Sequence, residues 1–87
     1  MTDRYSFDQS ITDAEDILEA SKKQLDLALR QEHYNDIEYS DAQLQLEQAL
    51  LSLEAIFHSS NGQQRESIDR ITARIRIMQH QMITTPH

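Results

Sequence analysis

The sequence predicts an all-α fold: an antiparallel, up-down-up three-helix bundle with coiled-coil-like seams. Three observations lead there. First, three stretches carry apolar or small residues at alternating steps of three and four, the spacing that gathers side chains on one side of an α-helix. They run Phe7, Ile11, Ala14, Leu18, Ser21, Leu25, Ala28; then Tyr39, Ala42, Leu46, Ala49, Leu53, Ile56; then Ile68, Ile71, Ile75, Met78, Met82. Second, the 87 residues hold one Gly and one Pro, too few for the hairpins and long loops that use those residues. Third, the links between the stretches are short, and short links make neighbouring helices antiparallel.

The first helix is expected over about 7–31. Ser6 and Gln9 have capping-box spacing, in which the hydroxyl accepts an orphan amide and the Gln reaches back. The helix ends near His33-Tyr34-Asn35, where Asn35 is the one breaker, so either a turn or a kink leads on. The second helix is expected over about 36–58. Asn35 with Glu38 and Ser40 with Gln43 are both candidate boxes; the first is preferred because Ile37 would otherwise lie in a loop. Ser59-Ser60-Asn61-Gly62 is the clearest turn signal, and the third helix follows over about 62–83. Pro86 lies past its end, in a tail expected to fray. Residues 1–87 therefore read as a single three-helix domain.

Leu25, Leu29, Leu46, Leu50, Leu53, Ile56, Phe57 and the isoleucines of the third helix should supply most of the buried area. Ala14, Ser21, Ala28, Ala42 and Ala49 bury little but let helix axes approach closely. Tyr34 and Tyr39 bracket the start of the second helix, as staples with their phenol tips in water.

The net charge of −7 argues against sequence-independent binding to nucleic acid or to an anionic membrane. It is unevenly placed. From Gln31 to Gln64 stand six acids (Glu32, Asp36, Glu38, Asp41, Glu47, Glu54) and no Lys or Arg. Beyond them Arg65, Arg70, Arg74 and Arg76 outnumber Glu66 and Asp69. The simpler reading sets the acidic second helix against the basic third; the other has the Arg face take an acidic partner. With no cysteine there is neither a disulfide framework nor a thiolate metal site. The polar start Met1-Thr2-Asp3-Arg4-Tyr5 and the lack of a membrane-length apolar run point to a cytoplasmic protein.

Chemistry is sparse. Glu54 and His58 share a helix face, yet the several inward Glu and Glu-x-x-His pairs of a helical metal centre are missing, so a solvated pair is expected. His33 and His87 have no ligating spacing. Serines cluster at caps and turns, where their hydroxyls satisfy amides. One glycine cannot build a phosphate loop. Small helical-hairpin phosphatases of sporulation regulators carry an Asp four residues after a Ser. Here Asp26 comes five after Ser21, which turns the two apart. No catalytic residue, cofactor or metal is assigned. A phosphatase-like or metal-dependent regulator stays as the alternative.

The remaining feature is a row on the second helix. Ile37, Leu44 and Leu51 recur every seven residues, opposite that helix's seam, with His58 next in line. Either a neighbouring helix covers the row, or it is an interface with a second copy about a two-fold axis or with a partner helix. The expectation is a non-enzymatic interaction module with partner residues Ile37, Leu44 and Leu51, and with Asp41, Glu47 and Glu54 beside them choosing the partner's charge.

The stretch Gln31-Glu32-His33-Tyr34-Asn35-Asp36, with Glu38-Tyr39-Ser40-Asp41-Ala42-Gln43-Leu44-Gln45-Leu46-Glu47 after it, resembles the YtzC-like family. So does Ser59-Ser60-Asn61 with Gln63-Gln64-Arg65-Glu66. These are small uncharacterised proteins of spore-forming Gram-positive bacteria. The likeness runs from the first helix to the tail and departs at Gly62, where an acid is expected. It implies a cytoplasmic bacterial protein and brings no catalytic residues with it.

Overall fold

A computed structural model describes residues 3–31 and 35–85. Three helices fill it: α1 (Arg4–Arg30), α2 (Asp36–Phe57) and α3 (Gly62–Thr84). Each is in contact with the other two, and the body measures 44 × 19 × 15 Å. Cross-helix hydrogen bonds fix the directions. Gln24, late in α1, donates to Glu38, early in α2 (3.5 Å). Tyr39, early in α2, donates to the Met82 carbonyl at the far end of α3 (2.7 Å). Each helix therefore runs against the one before it.

The three seams form the core. Ala14, Leu18, Ser21, Leu25 and Ala28 of α1 are buried. So are Tyr39, Ala42, Leu46, Ala49 and Leu53 of α2, and Ile68, Ile71, Ile75 and Met82 of α3. Phe7, Ile11, Ile56 and Met78 pack at the margin. The small residues on α1 and α2 let their backbones close up, and these two share the broadest contact of the three pairs.

The helix ends differ in part from the sequence reading. α1 begins earlier than expected: Asp3, not Ser6, is its N-cap, and its carboxylate accepts the Ser6 amide (3.2 Å). Gln9 turns forward to Asp13 (2.9 Å) instead of back to the cap. α1 stops at Gln31, which takes the left-handed conformation (φ 57°) and donates its amide to Ala28 O (3.2 Å). This is the ending usually given to Gly or Asn. The helices are thus separate elements, not one kinked rod. His33, Tyr34 and Glu32, like Pro86 and His87, lie outside the described residues.

Asn35 caps α2 as expected, accepting the amides of Ile37 and Glu38 (2.9 and 3.0 Å). Asn61 and Gln64 form a full capping box at α3 (2.8 and 3.0 Å). Gly62 adopts no positive φ, and a Cβ there would meet nothing within 4 Å. The turn it signalled is made by Asn61.

Two further expectations are corrected. Leu29 is 60% exposed instead of buried. The seam steps from Leu25 to Ala28, and Leu29 falls about 100° further round the helix. Tyr39 keeps no tip in water: it is fully buried, and its hydroxyl reaches Met82. That carbonyl lies in the last turn of α3, where the intrahelical donor four residues on would be Pro86, which has no N–H. Burial raises the Tyr39 pKa above its ordinary value of 10.0, since the charged phenolate would lose its hydration. The acidic α2 does lie against the basic α3, but no ion pair joins them among the described residues. Besides the Tyr39–Met82 bond, the polar contacts found there are Gln79 donating to Glu47 (3.0 Å) and the Arg65 contacts described next.

Candidate functional site

Arg65 serves the fold and is not free for a partner. Its Nε donates to Phe57 O (3.0 Å) and its Nη2 to His58 O (2.8 Å). These carbonyls belong to the end of α2, where no further helical amide follows. The guanidinium also lies over the Phe57 ring, 5.1 Å from its centre, and places positive charge at the negative end of the helix. Ser59 and Ser60 add hydroxyl donors to Ile56 O (3.2 and 2.6 Å). The sequence placed Arg65 with the other arginines; an arginine that caps the preceding helix has no local spacing signal.

The outer face of α2 is the candidate site. Ile37, Leu44 and Leu51 are 72%, 56% and 58% exposed, so neither α1 nor α3 covers the row. The other large exposed apolar residues, Tyr5, Leu29, Ile77 and Ile83, are scattered over α1 and α3 with no such repeat. Sequence reading counted Leu29 and every isoleucine of the third helix among the core residues; Leu29, Ile77 and Ile83 lie off the seams and are exposed instead.

The three acids beside the row are exposed and placed on both of its flanks. Asp41 borders the groove towards α1, beside Ala20 and Gln24. Glu47 meets Gln79 on the α3 side. Glu54 lines a shallow groove of about 290 Å³ between α2 and α3, with Leu50, Phe57, Thr72 and, from α3, Asp69 and Arg76. None of the three makes an ion pair among the described residues. The structure therefore places all six residues that the sequence singled out on one open face: an apolar line edged by carboxylates.

Of the residues of the alternative reading, Ser21 and Asp26 do not converge. Ser21 is fully buried, its hydroxyl without a hydrogen-bond partner, while Asp26 is exposed. Glu54 and His58 border the same groove. Among the described residues no three His, Asp or Glu side chains are grouped to hold a metal ion. Nor is any described helix long and apolar enough to cross a membrane.

Fold and face together define a small all-α three-helix protein with one open apolar helix face. Residues 1–84 match the profile of a protein family of unknown function, DUF2524. The chain is 42% identical over 83 residues to the uncharacterized protein YtzC of Bacillus subtilis (strain 168), covering 95% of this chain and 92% of that one. No solved structure matches it. The chain belongs to the DUF2524 family, as its resemblance to YtzC-like proteins implied.

Proposed function

We propose that this protein is a non-enzymatic interaction module that receives another helix along Ile37, Leu44 and Leu51. One observation carries the reading: three large apolar side chains stand in line on α2, more than half exposed, in a chain whose core is complete without them. Burying that line against a second apolar face removes it from water, at about 25 cal/mol per Å². The helix seam that receives it would follow the ordinary packing of apolar residues repeated at sevens. The occupant is a second copy or a different protein. The same reading gives the chain no catalytic residue, cofactor or metal, no nucleic acid or membrane as partner, and a cytoplasmic setting. Composition and charge support these points.

A photo-crosslinking residue placed at position 44 in living cells tests the interface. It should form adducts with a second polypeptide, whereas the same residue at exposed Glu15 on α1 should not. Equal adduct yields at the two positions, or none at 44, would remove the reading.

A further inference from the structure

Resting on that docking reading, we propose that the occupant of the α2 face is a cationic amphipathic helix of another protein, with Lys or Arg beside a leucine-type stripe. Charge carries this choice over a second copy. The whole span from Gln31 to Gln64 holds six acids and no Lys or Arg. Asp36 and Glu38 stand in the first turn of α2, where negative charge suits the helix end. That explanation does not reach Asp41, Glu47 and Glu54, which lie further along the helix and flank the apolar row.

None of those three carboxylates forms an ion pair among the described residues, although Arg76 borders the same groove as Glu54. Among the described residues the one ion pair is Arg4 with Asp8, on α1 (3.9 Å). Glu47 receives a neutral amide, and α2 itself has no i, i+4 cation to offer. A two-fold pairing of α2 with its own copy would bring three more carboxylates to the seam and again no cation. A helix with Lys or Arg at its flanks answers all three while its stripe covers Ile37, Leu44 and Leu51. Like charge across a face selects against a partner, and opposite charge selects for it.

The test uses the whole purified chain and two synthetic helical peptides. Both carry the same leucine stripe; one is flanked by lysines, its twin by glutamates. Fluorescence anisotropy should show the lysine peptide binding at least ~10-fold more tightly than its twin, with affinity falling as salt screens the pairing. Leu44→Gln/Leu51→Gln keeps the charge and should abolish binding. Asp41→Asn/Glu47→Gln/Glu54→Gln keeps the row and should bring the two peptides to similar affinity. All five positions are exposed, so circular dichroism should show the helices intact. The free protein should sediment as a monomer.

Equal affinity of the two peptides for the wild-type chain, lost in Leu44→Gln/Leu51→Gln, would overturn the cationic partner and leave the docking face standing. A dimer that the same double substitution splits would do likewise, in favour of a second copy. Binding of the lysine peptide unchanged by Leu44→Gln/Leu51→Gln would overturn both readings, since simple attraction to an acidic protein would explain it. No binding of either peptide to a monomeric chain would also overturn the cationic partner.

Discussion

Leu46 and Leu53 of α2 are buried to about 1% exposure or less, while Leu44 and Leu51 on the same helix are more than half exposed. Two residues along a helix is a turn of about 200°, so Leu44 and Leu46 point nearly opposite ways. The inner side is closed by α1 and α3 and bounded by small residues, Ala42 and Ala49. The outer side is open and bounded by acids. Residue type alone does not distinguish the two sides of this helix. What distinguishes them is what stands next to each leucine: alanines let a neighbouring backbone approach, whereas carboxylates must keep their water.

The largest expected effect separates the two sides directly. Leu46→Ala should cost about 2–5 kcal/mol in urea unfolding, because no neighbouring helix can move in to fill the space fully. Leu44→Ala should change stability by less than about 0.5 kcal/mol, as for exposed positions generally. Similar losses at the two sites would mean that the outer row supports the fold, and the comparison would collapse.

A middle-sized effect is expected where the inner side of α2 becomes polar. Tyr39→Phe keeps the ring but leaves the Met82 carbonyl without its phenolic donor, at a cost of about 1–3 kcal/mol. The pH dependence has a definite sign. The folded pKa lies above the ordinary 10.0, so the folded chain holds the phenolic proton more tightly than the unfolded one. The stability this contributes is present below pH 10.0 and is lost as the pH rises from there through the folded pKa. Tyr39→Phe should flatten that alkaline limb in denaturation curves. An unchanged limb would assign it to other groups.

The smallest effect concerns Ser21, opposite the inner side in the core. Its hydroxyl is buried and lacks a partner, so Ser21→Ala should hold stability level or raise it by up to about 1 kcal/mol. A clear loss in thermal unfolding would show that the hydroxyl contributes to the α1 seam by more than being small.

Much of this architecture was legible because the seams obey a single period. Every buried apolar residue of the three helices stands on one of the three 3-4 series read from the sequence. The row of Ile37, Leu44 and Leu51 was legible too, because it repeats at sevens on the far side. What escaped has no period. Asp3 and Ser6 both suit an N-cap, and spacing cannot rank two candidates within one turn of each other. Gln31 carries no mark of its left-handed conformation, since any residue can be held there by its neighbours at modest cost. Arg65 and Tyr39 act across helices, on carbonyls that only the folded arrangement brings within reach. Partner identity lies beyond the sequence for the same reason: the other half of the contact is in another molecule.

The phenol that joins the start of α2 to the close of α3 determines how the tail yields to a load. Pulled from its C-terminal end, α3 cannot shed its final turn by water simply replacing amides one at a time. Strain reaches the Met82 carbonyl and, through it, a ring buried at that end of the core. Resistance should therefore climb to one sharp peak and then drop, like a drawer held by a single catch, and Tyr39→Phe should turn that peak into a gradual slope on a force trace.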